Sequence, residues 1–196
     1  MVRAAGVPGP VIADFVRPAI GAVPSAMAAR LGRCRVVVAP RFDDPAWTSQ
    51  WSGTQTTLDI SVAAGGEEHD VAMDVLICLG QALWEKTTRA EREAFWRLLE
   101  VEISQGVSGE IDEDALEAKR LLLANRANAR SARRLEEYGQ AAFAATAAEY
   151  VHCLWHDVTV RAGAEFLPPE QLRARLRLFE RWFPPDRGYR LFPPAE

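Results

Sequence analysis

The sequence has little of what marks several large classes of protein. Only three cysteines, Cys34, Cys78 and Cys153, occur in 196 residues, far apart and in apolar contexts. This predicts reduced, buried thiols and argues against a disulfide framework. No apolar run approaches the roughly 20 residues that cross a bilayer, and residues 1–16 lack the apolar core of a signal peptide. We therefore expect a cytoplasmic protein without a membrane partner.

The chain also lacks an excess of charge of one sign. Its 23 basic and 27 acidic residues give a formal net charge of −4, and the basic residues are spread among acidic ones. A nucleic-acid-binding surface needs clustered basic residues, so we expect no nucleic-acid partner. With 48% hydrophobic residues, the chain can bury one substantial core, which predicts a single domain over residues 1–196.

The first third of the chain, residues 1–66, predicts a short helix and a small sheet. One run rich in β-branched residues and one run of alternating apolar and polar residues are typical of strands, and Ser25 can cap the helix before them. The predicted elements are a helix at 25–31, strands at 34–39 and 56–63, and a polar loop between them at 43–53.

The remainder, residues 67–196, predicts a mainly helical part. Helices are expected at 67–85, 88–103, 111–128, 130–158 and 168–183. In the helix at 88–103, Glu102 lies where the core side changes to the solvent side. The charged residues of the helix at 111–128 predict a solvated face. Gly139 is a candidate break in the helix at 130–158. The element order predicts an α+β fold: a small sheet, then a buried helix, then the helical part.

The buried helix carries the most informative stretch, ICLGQAL from Ile77 to Leu83. It resembles the HEIGHAL helix of zinc metallopeptidases of the gluzincin type, including lethal-factor-like enzymes, and keeps its glycine, alanine and leucine. In this match Ile77 and Gln81 stand at the two histidine ligands, and Cys78 stands at the glutamate base. The later segment AFAATAA resembles the one that carries the third ligand, and Ala142 stands at that position.

The resemblance implies a degenerate, zincin-like metallopeptidase without its catalytic residues. Isoleucine and alanine have no donor atom and an amide is a poor zinc ligand, so we expect no cofactor and no hydrolysis at this position. The implied function is a peptide- or protein-binding or regulatory module. Its oligomeric state is left open. Asp74 and Gln81 lie two turns apart and point the same way. The implied cleft is lined by five residues: Asp74, Ile77, Cys78, Gln81 and Ala142.

Two relocated sites keep a hydrolase open as the alternative. His152 and His156 lie one helical turn apart, and Glu149 lies one turn before His152. This spacing can chelate a metal ion, but it is also typical of histidines that hydrogen-bond to neighbouring side chains. Cys78 is a candidate nucleophile if one of these histidines serves as its base, although free cysteines are usually inert and buried. His69, at the start of the buried helix, is predicted to lie on the surface.

Aromatic residues in irregular segments have two interpretations. Trp47 and Trp51, in the predicted loop, either cover the core or anchor a partner. Phe183, Tyr189 and Phe192, in the C-terminal tail, either pack back on the domain or meet another subunit.

Overall fold

The computed structural model describes residues 1–4, 6–44, 48–124, 131–156 and 163–192. The elements in chain order are β1 (Val2–Ala4), a π-helical turn (Val11–Val16) that runs into α1 (Arg17–Gly21), α2 (Ser25–Leu31), β2 (Arg33–Ala39), β3 (Ser49–Gly53), β4 (Thr57–Ala63), α3 (Glu68–Glu85), α4 (Arg89–Ser104), α5 (Glu113–Ala124), α6 (Ser131–Trp155) and α7 (Pro169–Trp182). The predicted α+β class is therefore confirmed.

A mixed four-stranded sheet forms one layer, in the order β1-β2-β4-β3. β1 and β4 both pair in parallel with β2, and β3 pairs antiparallel with β4 at the sheet edge. Leu58, Ile60 and Val62 alternate with polar residues along β4 and are at most 2% exposed. The predicted alternation is confirmed, because every second residue of a strand points to the same face.

Four elements of the N-terminal part, β1, the π-helical turn, α1 and β3, differ from the prediction. β3 lies inside the segment predicted as a polar loop, and β1, the π-helical turn and α1 lie in a stretch where no element was predicted. β3 contains a single large apolar residue, Trp51, which is half-buried and packs against the core, whereas Trp47 lies outside the described residues. An edge strand of five residues with one buried side chain leaves no alternating pattern in the sequence.

The predicted cap of α2 is also corrected. The helix begins at Ser25 after Pro24, and no side chain caps it from the preceding position. Instead, the Ser25 amide and hydroxyl both donate to a carboxylate oxygen of Asp186 in the C-terminal tail, at 3.0 and 2.7 Å. A carboxylate that is distant in the sequence thus accepts the hydrogen bond of a backbone amide at the start of the helix.

α3 lies between the sheet and α6, and the two helices make the most extensive contact between elements. They approach closest at Gly80, where an added Cβ would lie 2.6 Å from the Ala144 carbonyl oxygen. The small residues of α6 permit this approach. Gly139 does not break α6; its missing side chain makes room for the Trp96 ring.

A buried network of charges joins α4, α5, α6 and α7. Arg175 donates to the carboxylates of both Glu102 and Glu110, Lys119 donates to Glu110 at 3.0 Å, and the Tyr138 hydroxyl donates to Glu110 at 2.5 Å. All five side chains are at most 2% exposed. Glu102, predicted to lie where α4 turns toward solvent, is thus buried, and so is Lys119 on the α5 face predicted to be solvated, because opposite charges on separate helices allow these groups to be buried.

The C-terminal tail packs back on the domain over residues 183–192. Phe183 is fully buried and its carbonyl accepts a hydrogen bond from the Tyr150 hydroxyl at 2.5 Å. Tyr189 and Phe192 pack against the same core. No single helix of the described residues is long and apolar enough to cross a membrane; only the bent pair Val11–Gly21 and Ser25–Leu31 meets that test together.

Candidate functional site

An open cleft of about 260 Å³ lies where α3 faces α6 and the start of α5. Two of the positions singled out in the sequence, Ile77 and Gln81, line it from α3. The other lining residues are Asp112 and Asp114 from the start of α5, and Glu137, Gln140, Ala141 and Ala144 from α6. The helix that resembles a zinc-site helix thus borders a cleft with two of the three positions that the resemblance pairs with zinc ligands and base.

Ala142, the predicted third ligand position, does not line this cleft. It is fully buried in the core, and its carbonyl accepts the Thr146 hydroxyl at 2.6 Å. Ala141 and Ala144 face the cleft because residues three apart share a helix face, whereas Ala142 is turned about 100° further round the helix. Of the residues that the two matched segments single out, α6 therefore presents Ala144 and not Ala142 to this cleft.

Asp74 and Cys78 lie toward β3 and are not among the residues that line the cleft. Burial raises the pKa of Asp74, although a hydrogen bond from Thr48 opposes the shift. Burial likewise raises the pKa of the Cys78 thiol to about 11, against a hydrogen bond with Ser49. Of the five residues that the resemblance groups in one cleft, Ile77 and Gln81 line this one.

Asp112 is the cleft carboxylate with the most perturbed environment. Its Oδ1 accepts the Ala115 amide at 2.8 Å, which caps the start of α5. Burial, together with the nearby carboxylates of Asp114 and Glu110, nevertheless raises the pKa of Asp112 to about 6. A carboxylate in this environment would gain from a cation placed beside it.

The cleft as a whole is negative. Asp112, Asp114 and Glu137 contribute three carboxyl groups, and the eight lining residues include no lysine or arginine. Glu137 is paired with Arg133 and Arg134 at 2.8 and 2.7 Å, so its charge is partly compensated from outside the cleft. The uncompensated negative charge lies at the α5 side.

A larger hollow of about 1020 Å³ borders β1, β2 and the π-helical turn. Three arginines, Arg3, Arg17 and Arg35, line it together with apolar side chains, and it contains none of the residues selected from the sequence. Arg35 is paired with Asp59 at 2.6 Å. This hollow is separate from the cleft.

The three histidines of the chain meet at the start of α3 and the end of α6. His69 Nε2 lies 3.1 Å from His152 Nε2, and Glu149 Oε2 lies 3.2 Å from His152 Nδ1. The His156 ring centroid is 5.7 Å from that of His69 and 5.4 Å from that of His152. Glu149 therefore lies beside His152, and His156 lies beside His152 one turn on, whereas His69, predicted to be a surface residue, is half-buried against the two histidines.

Sequence reasoning missed His69 because nothing local links a residue at the start of one helix to another helix 83 positions later. As the side chains stand, no group of three or more histidine, cysteine or acidic residues in the described ranges is arranged to hold a metal ion. The arrangement of the histidines is instead a hydrogen-bonded pair, His69 with His152, and a neighbouring ring, His156.

The three thiols are free, with Cys78 and Cys153 buried and Cys34 half-buried. His152 and His156 contact His69, which precedes Cys78 by nine residues on the same helix and so lies about 13 Å from it along the axis. This distance, together with burial and the raised pKa of Cys78, gives a Cys78 nucleophile no support.

Comparison with protein-family models found no match, and comparisons with curated proteins and with solved structures found none either. The resemblance to gluzincin metallopeptidases therefore remains a prediction from the sequence.

Proposed function

We infer that the protein is a catalytically inactive, metallopeptidase-like module that binds a segment of a protein or peptide partner in the cleft between α3, α5 and α6. One observation carries this proposal: Ile77 and Gln81, at the positions that the resemblance assigns to zinc ligands, line an open cleft. The groups that bind and use zinc in such enzymes are replaced by side chains that make van der Waals contacts and hydrogen bonds.

The lining of the cleft favours binding over bond cleavage. Among its eight residues there is no histidine or cysteine, so a base–nucleophile pair of the usual kind is missing from this lining. Apolar side chains, Ile77, Ala141 and Ala144, lie beside the amides of Gln81 and Gln140. A few placed polar groups against an apolar wall are typical of a binding site.

The size and charge of the cleft favour a cationic segment. A volume of about 260 Å³ is smaller than most drug-sized pockets, so it fits one or two side chains of a partner and not a whole folded surface. The carboxylates of Asp112 and Asp114 favour a lysine or arginine there, because an opposite charge relieves their repulsion.

The experiment uses peptides of equal length that carry lysine and arginine, glutamate and aspartate, or no charge. Binding is measured by fluorescence anisotropy, and mass spectrometry checks whether any peptide is cut. We expect the cationic peptides to bind without cleavage, and Ala141→Phe, which fills the cleft, to weaken binding at least tenfold. Ala132→Phe is the matched control because Ala132 is exposed on the same helix, half a turn round from Ala141.

Three results would contradict the proposal: cleavage of the bound peptides, no preference for the cationic set, or equal binding by the Ala141→Phe and control variants. Cleavage would instead favour the alternative, a hydrolase that uses a relocated site.

A further inference from the structure

Although the side chains are not arranged around a metal ion as they stand, the three rings of the histidine cluster lie close to the spacing that a zinc ion imposes. Around one zinc with N ligands at about 2.0–2.1 Å, imidazole ring centroids lie about 5 Å apart and the bound nitrogens about 3.3 Å apart. The ring centroids of His69, His152 and His156 are 4.9, 5.7 and 5.4 Å apart, and the Nε2 atoms of His69 and His152 are 3.1 Å apart.

Carboxylates stand behind two of the three rings. Glu149 Oε2 lies 3.2 Å from His152 Nδ1, and Asp70 Oδ1 lies 3.9 Å from His69 Nδ1. When Glu149 accepts the Nδ1 proton of His152, the Nε2 atom of that ring keeps its lone pair. A carboxylate behind a ligating histidine is the usual outer-shell arrangement of zinc sites, where it fixes the tautomer and raises the basicity of the ligand.

A third observation comes from Trp155, whose ring centroid lies 5.2–6.3 Å from those of all three histidines. Its Nε1 is the one buried side-chain nitrogen or oxygen, within the described ranges, that lacks a hydrogen-bond partner. An indole N–H only donates, so an acceptor such as a water or anion bound as a fourth ligand would satisfy it.

We propose that His69, His152 and His156 form a zinc-binding site that joins the start of α3 to the end of α6, with Glu149 as an outer-shell partner. In this proposal zinc replaces the His69–His152 hydrogen bond as the link between the two rings, and rotation of the imidazoles brings a nitrogen of His156 to the ion. Imidazole ligands suit zinc among the available divalent ions.

This site differs from the predicted relocated site in its ligands. His69 replaces Glu149 in the first coordination shell, so that the ligands come from two helices and the ion links α3 with α6. Because the site is remote from the peptide cleft along α3, its failure would leave the proposed binding function untouched, and the two experiments are independent.

The test is titration of the metal-free protein with zinc chloride at pH 7.5, followed by calorimetry and by thermal unfolding. We expect one zinc ion per chain and, at zinc 100-fold above Kd, a rise in Tm of about 5–10 °C. His69→Gln and His156→Gln should each weaken binding at least tenfold, and Glu149→Gln should weaken it by about 10- to 100-fold. Both histidines are partly accessible, so these variants are expected to fold even if His152→Gln does not.

Cys34→Ser is the control for zinc held by a thiol, since Cys34 is half-buried in β2, away from the cluster. It should bind zinc as the parent does. The proposal is overturned if zinc gives no saturable one-to-one binding, if a His69→Gln/His156→Gln double variant binds as tightly as the parent, or if Cys34→Ser abolishes binding.

Discussion

Replacing Arg175 with methionine should be among the most destabilising single changes in the protein. The guanidinium makes two hydrogen bonds to each of two carboxylates, Glu102 at 3.0 and 2.5 Å and Glu110 at 2.8 and 2.9 Å. Arg175 and Lys119 together balance these two charges, and none of the four groups is more than 2% exposed. Methionine has a similar volume and would leave two buried carboxylates with one cation.

The magnitude follows from the pKa of Glu110. Burial alone would raise that pKa, but Arg175, Lys119 and the Tyr138 hydroxyl outweigh it and lower the value from 4.5 to about 2. A shift of this size is worth about 3 kcal/mol of stability, which is present above pH 4.5 and is lost as the pH falls toward 2. Removal of one partner from a buried ion pair costs about 3–5 kcal/mol in general, and this range agrees with the value obtained from the pKa of Glu110.

The assay is urea unfolding at pH 7, with Arg173→Met as the matched control on an exposed position of the same helix. We expect a loss of about 3–5 kcal/mol for Arg175→Met and less than about 0.5 kcal/mol for the control. A Glu102→Leu/Arg175→Met double variant, which restores charge balance through Glu110 and Lys119, should recover part of the loss. An Arg175→Met variant within about 1 kcal/mol of the parent, or no recovery in the double variant, would refute the reasoning.

Two further substitutions test the α3–α6 contact and the cleft. Gly80→Ala should destabilise the protein by about 1–2 kcal/mol, because the added Cβ would lie 2.6–3.1 Å from backbone atoms of Ala144. This cost exceeds the gain in helix propensity from alanine. Equal or higher stability of the variant in thermal unfolding would contradict the prediction. Asp112→Asn keeps the cap but removes a carboxyl group whose pKa is raised from 3.8 to about 6, so it should stabilise the protein at pH 7.5 by up to about 3 kcal/mol. That gain should develop between about pH 4 and pH 6 and be absent below pH 3.8, and a pH-independent difference in urea unfolding would speak against it.

The helices could be predicted from the sequence because each carries its own signals. α4 begins after Thr88, which forms a capping box with Glu91, and α7 begins at Pro169. β4 shows its alternation in the sequence, since one face packs inward. By contrast, β3 has no such signal: its backbone pairs with β4, and Trp51 is its one large apolar residue.

Long-range placement is what the sequence left undetermined in the candidate sites. The face of α6 that meets the cleft depends on how α6 rotates against Gly80, and a rotation by one residue exchanges Ala142 for Ala141. His69 joins His152 because α3 and α6 bring these ends together. The burial of Glu102 and Arg175 could not be predicted for the same reason, because the two residues pair in the fold but lie 73 positions apart in the sequence.

The residues of α3 that the resemblance pairs with identical residues differ in role from those that it pairs with different ones. The shared residues, Gly80, Ala82 and Leu83, are all buried, and Gly80 permits the close approach of α6. Two of the three replaced positions, Ile77 and Gln81, are half-buried and face the cleft. A protein that exchanged catalysis for binding would keep the residues that pack the helix and change those that face the ligand, and this division therefore supports the proposed function.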